Sequence, residues 1–451
     1  DPRPAPAAIP RGRFDPLADA ARSDLWQRLR QGYAMPDVDG ELVRKWEQWY
    51  ASRPDYVQRM TERGGRYLFH IIEEIERRGM PADLALLPFI ESAFNPQALS
   101  SARAAGMWQF MPATGRDFEL KQNLFRDDRR DVLASTRAAL DYLQLLYTKF
   151  GDWHLALAAY NWGQGNVQRA IQRNLKAGLR TDYLGLSMPD ETRNYVPKLQ
   201  AVKNIVARPQ EFAVKLPLLE NHPFFLTVAI DRDIDVALVA ELAGLPVEDF
   251  KQLNPQLNKP VILAAGTPQV LLPYDNANRF ISSLALRIGP LASWTAWVAP
   301  STLKPADAAR QVGMSDASLR EANRIPPGMV VKAGSTLMVS RSLHAVADVS
   351  EQVADQAMLT LAPEGKPLRR VAFKAGQKGD SVAGVARRYG LPAAQVAAWN
   401  SVELKAAFKP GELIVVMLGP AKPSAAAKPR TAGKPAAPRR AAPAAPTTQR
   451  R

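Results

Sequence analysis

The sequence predicts a mainly helical α+β domain, then three small α+β modules of βααβ order and a basic tail, and three observations predict it. Up to about residue 207 apolar residues recur at helical spacing. Beyond residue 220 one motif repeats three times at fixed offsets, and from Pro420 only a Pro/Ala/Lys/Arg-rich tract remains. At 451 residues the chain exceeds one core. The expected divisions are an N-terminal extension 1–60, a helical domain 61–207, modules 222–275, 292–342 and 368–418, and a tail 419–451.

The opening Asp1–Pro16 is rich in Pro, Ala and Arg and is expected to be unstructured. Its first residue is Asp rather than Met, as when a leader has been removed, and any anchoring cysteine would lie upstream. Leu25, Trp26 and Leu29 mark one helix; Leu42, Val43, Trp46, Trp49 and Tyr50 mark a second, expected to pack on the domain behind. Tyr67, Leu68, Ile71, Ile72 and Ile75 form an apolar stripe against Glu73, Glu74, Glu76 and Arg77, a helix stopped by Gly79 and Pro81. Further helices are expected over 134–150, 153–160, 166–174 and 188–207, with a loop carrying short strands at "QALSSARAAGMWQF".

In the repeats, Ala240, Ala309 and Ala386 stand four residues before Gly244, Gly313 and Gly390. Phe250, Leu319 and Val396 follow each glycine by six, and Asn254, Asn323 and Asn400 by ten. A second glycine, Gly266, Gly334 or Gly411, precedes an apolar strand. Gly390 suits a helix C-terminus in the left-handed region, and units of this size are binding modules rather than enzymes.

Composition excludes several classes. No cysteine means no disulfide, thiolate metal site, thiol nucleophile or lipid-bearing cysteine within this chain. Histidines 70, 154, 222 and 344 lack ligand spacing, so neither metal nor cofactor is expected. No apolar run reaches the roughly 20 residues of a membrane span. The formal charge of +15 is concentrated in the tail, with eight Lys/Arg and no acid from Pro420 onward. That segment has no aromatic residue to stack a base, so nucleic acid is not the expected partner. A cationic tail drawn to anionic wall polymers or membrane surfaces is.

Glu91 poses the chemical question, because Leu86, Leu87, Phe89, Ile90 and Phe94 surround it in sequence. Burial among apolar groups disfavours the carboxylate and raises its pKa, as does the negative end of a helix. A carboxyl still protonated near neutrality is a general acid for a glycosidic bond. Taken alone, Glu91 reads rather as the cap of a surface turn than as a catalytic acid.

The blocks "ESAFNPQALSSARAAGMWQFMPATG", "AAYNWGQGNV" and "ETRNYVPKL" stand in an order that resembles the lytic murein transglycosylases of the goose-type lysozyme superfamily, over residues 61–207. The resemblance implies a lysozyme-like fold, peptidoglycan glycan strands as substrate, and Glu91 as the single catalytic acid/base. It assigns substrate binding to Ser100, Gln109, Tyr160, Asn161, Glu191 and Tyr195. Gly-Met-Trp-Gln replaces the family's more frequent Gly-Leu-Met-Gln, implying a bulkier pocket wall. Ser92 is expected to support local backbone, and Trp108 and Phe110 to lie in the core.

Ordinary glycosidases use two carboxylates; here Asp83 and Asp117, the nearest acids before and after Glu91, match no catalytic block. A lytic transglycosylase needs no second one, since the muramic C6 hydroxyl closes a 1,6-anhydro ring. A hydrolytic muramidase and a non-catalytic peptidoglycan-binding scaffold remain the alternatives.

The third repeat, "FKAGQKGDSVAGVARRYGLPAAQVAAWN", resembles a LysM module, which implies binding of N-acetylglucosamine-containing glycan. Gly379, Asp380, Ser381 and Asn400 match its motif, with Asp380 or Ser381 placed to cap a helix near Val382 and Asn400 to hydrogen-bond a local turn. Ile234 and Leu303 stand at the Asp380 position in the first two repeats, which are degenerate LysM-like modules. Together these resemblances imply a periplasmic protein, with outer-membrane association also open.

Overall fold

The computed structural model describes residues 23–341, 347–364 and 369–418. The Asp1–Pro16 opening and the basic tail lie outside the described residues. The chain forms two compact units, Asp1–Pro363 and Glu364–Arg451.

The first unit is built on one large helical core. The stripe of Leu68, Ile71, Ile72 and Ile75 is fully buried on the helix Leu68–Arg77 and packs with Leu25, Leu29, Phe89, Trp108, Leu140 and Leu157. Each such side chain contributes on the order of 2 kcal/mol by leaving water. Asp131 and Asp152 cap the helices Val132–Phe150 and Trp153–Trp162 by accepting N–H bonds from Ala134 and Leu155, at 2.7 and 2.8 Å.

Several expected boundaries move. A division at residue 61 cuts the helix Pro54–Gly64, whose Val57 and Met60 lie in the core with Trp26 and Tyr50. The N-terminal helices Leu25–Gln31 and Glu41–Ala51 therefore belong to the same packing unit as the domain behind them. The expected helix 188–207 is broken into Asp190–Arg193 and Tyr195–Ala207. Pro197 has no N–H to give the Arg193 carbonyl, so one continuous helix would leave that group unpaired. The segment expected to carry short strands has isolated bridges only, Leu99 with Ala105 and Ala105 with Phe110.

The repeats share one construction. In the first, the strand Phe225–Ala229 pairs antiparallel with Gln269–Pro273 around the helices Val236–Ala243 and Val247–Leu253. In the second, Trp294–Val298 pairs with Thr336–Ser340 around Pro305–Gln311 and Asp316–Asn323. In the third, which is the second unit, Arg369–Lys374 pairs with Leu413–Leu418 around Val382–Tyr389 and Ala393–Asn400. Phe250, Leu319 and Val396 are the fully buried centres, and Gly244, Gly313 and Gly390 have φ near +65° or +70°, where a Cβ is costly. A first-module boundary at 275 is too short, because the helix Tyr274–Ala285 buries Ala277 and Phe280 in that module's core.

The repeated asparagines do more than shape a turn. Asn254 donates to the Phe250 carbonyl at 3.0 Å and the Leu271 carbonyl at 2.7 Å, and accepts the Leu271 N–H at 2.8 Å. Asn323 holds Met338, and Asn400 holds Val415, in the same three-bond pattern. Each pins the second helix to the last strand. Asn254→Ala strands two buried backbone groups, so the fold should lose about 3 kcal/mol; the measurement is the urea midpoint of the full chain, which must fall.

Candidate active site

Glu91 sits in the last turn of the short helix Leu87–Ser92, whose Leu87, Pro88 and Phe89 are buried. Ala93 ends the helix in the left-handed region at φ +50°, and the ring of Phe94 packs edge-on to Phe89 at 4.5 Å. These contacts fix the carboxyl against an apolar wall while leaving it partly open to solvent. Ser92 donates to the Met107 carbonyl at 3.0 Å, as its backbone-supporting reading expects, and so ties this helix to the loop that follows.

The second wall comes from the helix Tyr195–Ala207. The buried Tyr195 donates its hydroxyl to a Glu91 carboxylate oxygen. Lys198 is one turn further on, with its ammonium 4.5 Å from the Trp46 ring centroid. Burial pushes the Glu91 carboxyl up to about 7; the Tyr195 hydrogen bond opposes this, the negative charge of Glu191 adds to it, and Lys198 opposes it. Burial and the Glu91 charge push the Tyr195 and Tyr160 hydroxyls well above 10, so both remain donors.

Tyr160, near the end of the helix Trp153–Trp162, donates to the Trp108 carbonyl at 2.8 Å. Its hydroxyl thereby anchors the Gly106–Phe110 turn behind Glu91. Asn161 accepts from the Thr192 hydroxyl at 2.8 Å and lies 3.4 Å from the exposed Glu191 carboxylate. Glu191 pairs with neither Arg193, which holds Asp190, nor Lys198 among the described contacts. Ser100 and Gln109 are on the loop Ala98–Phe110. The Ser100 hydroxyl accepts the Ala104 N–H at 2.9 Å, and Gln109, at φ +51°, donates to the Gly106 carbonyl at 2.8 Å. A glutamine in that region is uncommon; here the turn is closed on both sides by Ala105 and Phe110 exchanging backbone bonds.

The structure thus gathers Glu91, Tyr160, Asn161, Glu191 and Tyr195 by direct bonds or charge, and hangs Ser100 and Gln109 on the loop that Tyr160 and Ser92 secure. One expectation is corrected. Trp108 is fully buried and donates to the Thr136 hydroxyl at 3.1 Å, so the indole fills core space and makes no bulkier pocket wall. Phe110, also buried, is core as expected.

The sequence did not single out Arg129 or Gly106. Arg129 donates to the Arg103 carbonyl at 2.7 Å and the Phe110 carbonyl at 3.1 Å, bracing the loop from beneath. A Cβ on Gly106, at φ +83°, would lie 2.0 Å from the Arg129 carbonyl oxygen. The Gly before Met-Trp-Gln was visible in the sequence; its contact 23 residues away was not. Neither nearby acid serves Glu91. Asp83 is buried against Lys203 at 2.7 Å and accepts the Ala34 N–H at 2.8 Å, and Asp117 is exposed at the end of the helix Pro112–Asp117.

In the third repeat, Ser381 caps its helix by accepting the Gly384 N–H at 3.0 Å. Asp380 accepts the Gly376 N–H at 3.0 Å and pairs with Arg388 at 2.7 Å. Gly379, at φ +75°, leaves room for the Phe408 carbonyl, 2.7 Å from where a Cβ would stand. With Asn400 these side chains organise the module from within.

Comparison with known proteins places residues 70–181 in the Transglycosylase SLT domain family. Residues 224–287 match the LysM-like domain of lytic transglycosylase MltD, and 377–414 the LysM domain. The chain is 31% identical over 420 residues to the membrane-bound lytic murein transglycosylase D of Escherichia coli K12, covering 90% of this chain and 88% of that protein. Two solved lytic transglycosylases, from Pseudomonas aeruginosa and Escherichia coli, align with 33% and 31% of this chain at 22% and 29% identity. Each has a TM-score of 0.24, and this chain spans 25% and 23% of their lengths.

Two predictions follow from the carboxyl's surroundings. Tyr195→Phe removes a donor that favours the charged form, so the Glu91 pKa should rise above 7, read by carbon-13 NMR titration. The native state holds the Glu91 proton more tightly than the unfolded chain, whose carboxyl titrates near 4.5. Wild-type stability relative to Glu91→Gln should therefore fall between about pH 4.5 and 7 and stay lower above it, by on the order of 2–3 kcal/mol. Melting curves of both proteins at pH 4 and pH 8 measure it.

Proposed function

The chain belongs to the membrane-bound lytic murein transglycosylase D family and is a peptidoglycan lytic transglycosylase; from that premise we propose that Glu91 alone supplies both acid and base. The observation that carries this reading is a carboxyl of pKa about 7 on an apolar wall, hydrogen-bonded to Tyr195, with Asp83 committed to Lys203 and Asp117 exposed at a helix end. At pH 7 about half of such groups hold a proton; an ordinary glutamate holds one in roughly three hundred.

Glu91 gives that proton to the oxygen bridging N-acetylmuramic acid and N-acetylglucosamine, and the bond from the muramic C1 to that oxygen breaks. The substrate's acetamido oxygen stabilises the positive C1. Tyr195 then stabilises the new Glu91 carboxylate by the hydrogen bond that favours its charged form. The carboxylate takes the proton of the C6 hydroxyl, and the C6 oxygen bonds to C1 to close the 1,6-anhydro ring. The nucleophile is held in the same sugar, so its effective concentration exceeds that of any diffusing partner.

Ser100, Gln109, Tyr160, Asn161 and Glu191 shape the cleft for the glycan. Gly379, Asp380, Ser381 and Asn400 maintain the third repeat as the module that holds the enzyme on the wall, where tethering raises local substrate concentration. The enzyme works in the cell envelope, and we assign it to the periplasm; no helix among the described residues is long and apolar enough to cross a membrane. The basic tail adds attraction to anionic polymers or lipid.

Glu91→Gln should abolish release of glycan from sacculi and leave sacculus binding unchanged. Mass spectrometry of wild-type digests should find anhydromuramic ends; reducing ends would establish the hydrolytic alternative. The wild-type kcat/KM should fall as pH rises through about 7, as the acid form is lost.

A further inference from the structure

In the third repeat, the segment before the first helix is Gly379–Ser381, and Ser381 caps that helix. The equivalent segment of the first repeat is Asp233–Asp235. Here Asp235 caps nothing; it accepts the Ser293 N–H at 2.9 Å, while the buried Asp233 accepts the N–H groups of Ala264 and Val349, both at 3.0 Å. The segment after the second helix, which starts at Asn254, is occupied too. The Gln256 carbonyl accepts the Asp127 N–H at 2.9 Å, Asn258 donates to the Phe125 carbonyl at 2.8 Å, and Arg126 bridges Leu257.

Phe125, Arg126 and Asp127 belong to the helical domain. Phe125 is buried with Val261 and Leu263 of the first repeat, Met338 of the second, and Ala354 and Ala357 beyond it. Asn123 donates to the Ala354 and Asp355 carbonyls at 3.0 and 3.1 Å, and Arg126 pairs with Asp355 at 2.8 Å. The other end of the loop reaches the active site. Asp127 holds the Arg129 guanidinium by two bonds of 2.9 and 2.7 Å, and that guanidinium carries the Arg103 and Phe110 carbonyls of the loop bearing Ser100 and Gln109.

We propose that the first repeat is a socket that positions the active site rather than a free glycan module: it grips Phe125–Asp127 and, through the Asp127–Arg129 pair, sets the Ala98–Phe110 loop. Arg129 is a positioning residue, acting through that loop on substrate. A fork with two acceptor carbonyls and a bidentate carboxylate fixes orientation in a way a lysine cannot copy. The proposal rests on the glycan-cleaving reading above, and the inactivity of Glu91→Gln tests that reading separately.

The test measures full-length Arg129→Ala and Arg129→Lys on soluble, uncross-linked glycan strands, where wall tethering contributes little. Arg129→Ala should raise KM about ten- to hundredfold with the alkaline limb near pH 7 unmoved, since Glu91 and Tyr195 are untouched. Arg129→Lys should recover only part of it. Asp127→Asn, which frees the guanidinium without removing it, should reproduce the KM increase and serves should Arg129→Ala not fold. Wild-type KM in a folded Arg129→Ala or Asp127→Asn protein would overturn the proposal, as would equal recovery by lysine.

Discussion

The hydrogen bond from Tyr195 to Glu91 joins residues 104 apart in the chain, and most of the helical domain is arranged to permit it. A carboxyl on an apolar wall resists ionisation, and a phenol donor moderates that resistance by favouring the charged form. The balance leaves a carboxyl that titrates near neutrality. Neither contribution suffices alone: burial without the donor would hold the acid too firmly, and the donor without burial would leave an ordinary glutamate. The helices Leu87–Ser92 and Tyr195–Ala207 must therefore be held in fixed relation, and the buried stripe of Leu68, Ile71, Ile72 and Ile75 belongs to the core in which both are embedded.

The loop between Ala98 and Phe110 meets a different constraint. It has no regular ladder to set its shape, and it carries positive φ at Arg103, Gly106 and Gln109. Such backbone persists only where its surroundings over-determine it. Here Ser92, Tyr160 and Arg129 each bond a carbonyl of the segment from Arg103 to Phe110. The loop is shaped by contacts from three separate parts of the chain.

The repeats illustrate how one fold serves two ends. Their shared asparagine spends both amide N–H donors and one oxygen lone pair within its own module, joining the second helix to the last strand, so the motif specifies a scaffold rather than a ligand site. What varies is the segment before the first helix. Gly-Asp-Ser in the third repeat is satisfied inside its own module, whereas the aspartates at 233 and 235 reach outside theirs.

Periodicity and spacing in the sequence by themselves determined the helical first domain, the three repeats and the acid worth asking about. Those features rest on local pattern: a 3.6-residue stripe, a glycine at a left-handed cap, a carboxylate among apolar neighbours. The ordered blocks likewise reached Tyr160, Asn161, Glu191 and Tyr195 by resemblance. Only the tertiary structure decided that Tyr195 donates to Glu91 and that Arg129 braces the site from a loop seated in the first repeat. Each of these depends on which surfaces meet across tens or hundreds of residues, and burial and hydrogen-bond partnership are properties of such meetings, which no local spacing encodes.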